Sequence, residues 1–256
     1  MAHGQLAVLW QHNELVVIGG AALGATLIGN PPSVLMGAVK GLIVVFTGSK
    51  FNKQFYLANL KMLSDVFNHA RKNGLVSLEQ DVEDPDKSQL FGKHPLFQKD
   101  HHAVHFVCDT LRTSITGGVD YFTLDQMMEG DLDVHHKQAG LPAAALTTTA
   151  DSLPGMGIVA AVLGVVITMG SLGGPPEEIG RHVAAALVGT FLGILLCYGL
   201  VGPMAANMTK VVEEQAQYYQ MLRVGLASFA RGLPPILAVE FARRVIPADV
   251  RPSFKE

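Results

Sequence analysis

Three histidines, His101, His102 and His105, carry the spacing in this 256-residue chain closest to a metal site. Two His four apart on one helix face can bind zinc. The glutamate that zinc proteases place between them is absent, and no third ligand follows. They read as a solvated helix face, as does the pair His135 and His136, so no metal is expected. A dinucleotide glycine loop, a Walker loop and a G-x-S-x-G elbow are all missing, so no enzyme and no cofactor is expected. The remaining chemistry lies in apolar surroundings: the hydroxyls of Thr168, Ser171, Thr190 and Tyr198. Hydroxyls can line a water path but cannot hold a proton at neutral pH. Ion pathways through membranes usually carry an ionisable residue that faces the bundle interior. The apolar runs here carry none, so either the chain conducts nothing or a partner helix brings the carboxylate.

Those hydroxyls sit in two long runs. Residues 152–176 contain no Asp, Glu, Lys, Arg or His, and residues 183–209 contain none either. A hydrocarbon core about 30 Å thick needs about 20 apolar residues of helix, and each run suffices. The six residues Glu177 to His182 between them predict a short turn, and the whole stretch a membrane hairpin. Small residues recur four apart: Gly157 with Ala161, Ala160 with Gly164, Ala185 with Gly189 and Gly193. Such ridges let membrane helices pack closely. Pro154 and Pro203 fall near the two ends of the hairpin at one membrane face, where each reads as a hinge or as a helix end.

A third span is predicted over Leu15 to Gly29, with Gly20 and Gly24 four apart; Leu6 to Trp10 would extend it. Ser33 to Gly48 carries Val34, Leu35, Ala38, Val39, Leu42, Ile43 and Phe46 at helical spacing with Lys40 off the stripe. This predicts an amphipathic helix lying in the interface. Residues 50–150 are polar and helical in pattern. Phe55, Leu57, Leu60, Leu63, Val66 and Phe67 make one stripe, and further helices are expected over His101–Ile115 and Phe122–Gln138. After the hairpin, Val211, Leu222, Leu226 and Phe229 mark a helix to Gly232. Pro234-Pro235 breaks it, and Ile236–Val245 resumes. The expected fold is all-α. Its domains are an N-terminal transmembrane segment (1–32), the interfacial helix (33–49), a cytoplasmic helical domain (50–150), the transmembrane hairpin (151–203) and cytoplasmic C-terminal helices (204–256).

Composition agrees with a membrane protein that has a sizeable polar part: 49% of residues are hydrophobic and the net charge is −3. That charge argues against nucleic acid as a partner. Cys108 lies in the polar region and Cys197 in a span, so no disulfide is expected. The start, MAHGQLAVLW, lacks the basic region of a signal peptide. Lys and Arg number one in 1–49, ten in 50–153, one in 154–203 and seven in 204–256. Positive charge stays inside, so the middle region and the tail are expected in the cytoplasm.

Long motifs then add a resemblance. DSLPGMGIVAAVLGVVITMGS, GGPPEEIG, ALVGTFLGILLCYG and GPMA strongly resemble the MotA family of flagellar motor stator subunits, as do NGLVSLEQDVEDP, LRTSITGG, AVEFARR and RPSF. The resemblance covers the chain from about Gln5 to Glu256. It implies four spans, of which this chain carries three, in the bacterial inner membrane. It implies a pentamer of such subunits around two MotB chains, with MotB supplying the missing carboxylate. Pro154 and Pro203 would couple ion flow to movement, and Arg71 and Glu79 would face charges on FliG of the rotor. Bottom-up, Arg71 and Glu79 are simply exposed charges beside a turn. Thr190 offers one hydroxyl near mid-span, and Ala161 lies at matching depth on the facing helix. Sodium-driven members tend to have threonine there and proton-driven members Ala or Gly, so a proton is the expected coupling ion. Other readings are a TolQ- or ExbB-type energy transducer and a non-conducting membrane scaffold.

Overall fold

The structure is a computed structural model that describes residues 11–170, 173 and 175–256, with the backbone alone at residue 178. The expected extension of the first span over Leu6 to Trp10 lies outside the described residues, as does Ser171. Among the described residues the α-helices are α1 (His12–Gly29), α2 (Pro32–Thr47), α3 (Lys53–Asn73), α4 (Glu79–Glu83), α5 (Pro95–Gln98), α6 (His101–Thr116), α7 (Tyr121–Gly170), α8 (Pro176–Leu196), α9 (Gly202–Ala230) and α10 (Pro235–Arg244). No strand occurs among them, so the fold is all-α. Three helical stretches, His12–Gly29, Tyr121–Gly170 and Ile179–Ala230, are long and apolar enough to cross a membrane. The chain divides into two compact units, one of Met1–Gly48 with Gly140–Lys210, the other of Ser49–Ala139 with Val211–Glu256.

In the first unit the α7–α8 hairpin supplies the close packing. Ala150, Leu153 and Ala160 of α7 are buried, as are Ala186 and Val188 of α8 and Cys197 beyond its end. A Cβ built on Gly193 would stand 2.6 Å from the Leu153 carbonyl oxygen, and one on Gly157 would stand 2.9 Å from that of Gly189. Glycine at these positions is what lets the two backbones meet. Ala186 rather than Ala185 faces Gly164, where an added Cβ would lie 2.9 Å from the alanine methyl. The helix α1 does not use Gly20 and Gly24, which have nothing within 4 Å. It packs through the row Ile18, Ala22 and Thr26, with Ile18 and Ala22 buried and Thr26 sharing a 2.6 Å hydroxyl contact with Thr149.

Three sequence expectations change here. Glu177 to His182 do not form the turn: Pro175 and Pro176 start α8 ahead of them, because proline suits the first helical position. The expected helix over Phe122–Gln138 and the first hairpin span are one helix of 50 residues, with Pro142 and Pro154 inside it. Gly140 and Pro142 read as breakers, yet in a long helix the neighbouring turns hold the course of the chain. The stripe on α2 also splits. Val34 is buried, Gly37 lies against Pro142 and Gly41 against Met208, whereas Met36, Val39, Ile43 and Phe46 point outward. With 16 residues, α2 is shorter than the spans, as an interfacial helix would be.

The second unit has its own core. Phe55, Tyr56, Leu60, Leu63, Val66 and Phe67 of α3 meet Tyr218, Met221, Leu222 and Leu226 of α9, with Val107 and Leu111 of α6 and Ala238 and Ala242 of α10. Tyr56 and Asn59 take the buried places that spacing assigned to Leu57. Asn59 can be buried because it is satisfied: it donates to the Phe55 carbonyl at 2.8 Å and accepts from the Tyr218 hydroxyl at 2.8 Å. The helix α10 is fastened by Glu240, which pairs with Arg243 at 2.8 Å and Arg244 at 2.9 Å; Arg243 also donates to the Pro252 carbonyl.

Candidate functional site

In the first unit two of the predicted pathway residues, Ala161 and Thr190, lie at the α7–α8 contact. A Cβ on Gly157 would lie 3.4 Å from the Thr190 Cα, and one on Gly189 would lie 3.5 Å from the Ala161 nitrogen. Ala161 and Thr190 therefore flank the same crossing of the two helices. The Thr168 hydroxyl is already committed, donating to the Gly164 carbonyl at 2.8 Å. Thr190 makes no hydrogen bond with its hydroxyl among the described residues, so that group is available. Tyr198 is 73% exposed and turns its ring outward; a path along it needs a covering helix from outside this chain.

The apolar runs predict no ionisable residue inside a span, and the structure corrects this with Glu14. Glu14 lies in the first turn of α1, four residues before Ile18 on the same packing row. Its Oε2 reaches α8 and stands 2.8 Å from where a Cβ of Gly189 would be. That oxygen is buried and has no hydrogen-bond partner among the described residues. The apolar run began at Leu15, so a window over apolar residues stopped one position short.

Both prolines lie within continuous helix rather than at its ends. Pro154 sits inside α7. Pro203 is the second residue of α9, which continues α8 through one π turn, Cys197–Val201. There the Gly202 N–H donates to the Cys197 carbonyl, five residues back. A π turn widens the helix locally, and proline next to it removes a further N–H. Both features interrupt the regular α-helical ladder in this stretch of the second span.

In the second unit Arg71 and Glu79 flank a sharp reversal. Arg71 lies in the last turn of α3, Gly74 follows at φ +86°, and a 3-10 turn over Leu75–Leu78 leads into α4, which Glu79 begins. Positive φ is cheap only for glycine, so Gly74 sets the bend. Leu78 and Val82 anchor the turn in the core. Arg112 of α6 pins α4 from outside, donating to Glu83 at 2.8 Å and to the Val82 carbonyl at 2.9 Å. Arg71 and Glu79 are exposed, and neither side chain forms an ion pair or hydrogen bond among the described residues. Two free, opposite charges on a rigid turn suit a docking surface.

The histidines divide. His101, His102 and His105 are exposed on α6, and no group of three His, Cys, Asp or Glu side chains able to hold a metal occurs among the described residues. His135 is not solvated as expected. It is half-buried, its ring 4.7 Å from Tyr219 and 4.8 Å from His102, with Gln215 at 3.3 Å. Burial, then the neighbouring His102, pushes it below the ordinary histidine value. Nearby, burial alone would raise the Asp100 carboxyl. Lys50 at 2.8 Å, the Ala103 N–H and the Tyr219 hydroxyl outweigh it and hold Asp100 below the usual carboxylate range. Cys108 and Cys197 are both buried free thiols.

A helical, multi-pass membrane unit with a glycine-lined hairpin, joined to a helical polar unit, defines the class: residues 98–221 match the MotA/TolQ/ExbB proton channel family. Residues 1–74 match Motility protein A N-terminal. The chain is 39% identical to Motility protein A of Escherichia coli strain K12 and 38% identical to that of Salmonella typhimurium strain LT2, in each case over 100% of this chain and 87% of the relative. It belongs to the motility protein A family. Its fold matches the flagellar MotAB stator complex from Bacillus subtilis, with TM-score 0.75 and 21% identity, covering 98% of this chain and 90% of that one.

Proposed function

We propose that this chain is a flagellar stator subunit that works with a MotB-type partner to turn ion flow into torque. The observation that carries this is the full-length relationship to motility protein A. In this reading α7 and α8 line the ion path, and Thr190 and Ala161 flank it. Pro154 and Pro203 let the helices flex as ions pass, and the exposed Tyr198 is covered by a partner helix. Arg71 and Glu79 dock on FliG. Five copies surround two partner chains, and the Lys- and Arg-rich parts lie in the cytoplasm, as the charge asymmetry favours. The coupling ion is the proton: sodium needs several oxygen ligands, and the methyl of Ala161 offers none.

Deleting the gene and restoring it tests the whole reading. Swimming should be lost and regained, fall with a protonophore, and be indifferent to external sodium. Speed that tracks sodium and is blocked by phenamil would overturn the choice of ion. Swimming unchanged by the deletion would overturn the stator role.

A further inference from the structure

We propose that Glu14 is a proton-holding site that this chain itself contributes to the membrane unit, beside the ion path, and this rests on the stator reading above. The geometry is specific. Glu14, Ile18, Ala22 and Thr26 recur four apart on α1, and the last three pack against the hairpin or touch it. The carboxyl therefore lies on the packed face of α1, over the gap that Gly189 leaves open. The Cβ position on Gly189 that Oε2 approaches also lies within 3.5 Å of the Ala160 methyl and the Ala161 nitrogen, with Thr190 next in sequence.

No cation faces it. Residues 152–170 of α7 and 183–196 of α8 contain no charged or titratable group apart from the hydroxyl and thiol types, and His12 on its own helix is exposed. Glu177, Arg181 and His182 lie in the first two turns of α8, well short of Gly189. A membrane carboxylate without a cation partner is costly, and such residues mark ion pathways and proton relays. The form that fits this place is the neutral acid. A hydronium ion gives its proton to Oε2, an O–H bond forms and water leaves. In the return step that bond breaks and the proton passes to a water or to a carboxylate on the partner helix. Gly189 is what makes room: any larger residue would occupy the space of the carboxyl.

The test uses the full chain with its partner in liposomes, with Glu14→Gln and Glu14→Asp beside the parent. Gln keeps the volume and cannot exchange a proton. Infrared spectra of the parent should show a protonated-carboxyl band that shifts in heavy water and is missing in Glu14→Gln. Proton flux under an imposed pH gradient should fall on the order of tenfold in Glu14→Gln and partly recover in Glu14→Asp. An identical carboxyl band in Glu14→Gln, or flux equal to the parent in a correctly assembled Glu14→Gln complex, overturns the proposal. A parent complex that passes no protons overturns the stator reading instead. The infrared comparison then still decides whether Glu14 holds the proton.

Discussion

Arg71 and Glu79 show how much a single side chain is asked to do. Each is exposed and unpaired, and an exposed ion pair is worth about 0–1 kcal/mol and is screened beyond about 10 Å at 0.1 M salt. Reversing one charge should therefore weaken rotor docking without abolishing it. We expect Arg71→Glu to lower torque in tethered cells partially, and Arg71→Glu with Glu79→Lys to lower it further. Normal torque in the double variant, at normal expression, would remove both residues from the contact. At this scale the sequence was readable only in part. An exposed Arg beside a Gly turn looks the same whether it docks on something or not, and only the resemblance singled it out. Glu14 was missed for a different reason. Hydropathy averages along the chain, whereas its significance depends on a glycine 175 positions later being bare.

The elements were more legible, because apolar length and helical period are local properties. The spans, the α6 limits and the α9–α10 break at Pro234-Pro235 follow directly from them. What spacing could not fix was which small residues meet. Ala186 and Ala185 are neighbours with one side chain type, and one rotation of about 100° separates the packed from the unpacked. Close approach at Gly193 yields a sharp expectation. Gly193→Ala places a methyl 2.6 Å from the Leu153 carbonyl oxygen, a backbone atom that cannot swing aside. The helices must separate, at a cost of about 1–3 kcal/mol for overpacking. Melting in detergent should show a lowered Tm for Gly193→Ala, while Gly180→Ala, with nothing within 4 Å, should melt like the parent. Equal melting of Gly193→Ala and the parent would mean that the hairpin is looser than described. For Pro203→Ala, the restored N–H should stiffen the helix beside the π turn, leaving assembly intact and rotation slowed. Full rotation would mean that this proline is only tolerated.

At the scale of the whole molecule the acid side of the stability curve is set by paired carboxylates. Arg243 and Arg244 hold Glu240 at about 2, against an ordinary 4.5. A lowered folded value contributes stability that is complete above about 4.5 and is lost as the pH falls toward about 2. Asp100 acts in the same direction and is likewise lost on acidification. We therefore expect Glu240→Gln to lower Tm at pH 7 in detergent, and the gap from the parent to close as the pH is brought down through that window. A gap that persists unchanged at the acid end would show that Glu240 contributes by packing rather than charge. The Glu240 pairs are local in the sequence, whereas the long-range bonds of Tyr219 with Asp100 and of Tyr218 with Asn59 were invisible in it. Each joins residues more than a hundred positions apart, and no local period reports them.

The π turn at Cys197–Val201 also governs which length changes the chain can survive. Each helical residue advances the side-chain direction by about 100°. Beyond the turn, the start of α9 must present the buried Ala205 and Met208 in phase, Met208 against Gly41 of α2, with no loop in between to absorb an error. A π turn is a helix carrying one residue more than its α-helical equivalent, so it behaves as an inserted spacer that sets the compass bearing of the helical turns that follow it. Removing any one of the five residues would let the stretch close up as regular α-helix. It would also swing Met208 away from Gly41 of α2. Natural variation in this stretch should therefore run through substitutions and not through deletions, since the irregular turn is where the helix is aimed.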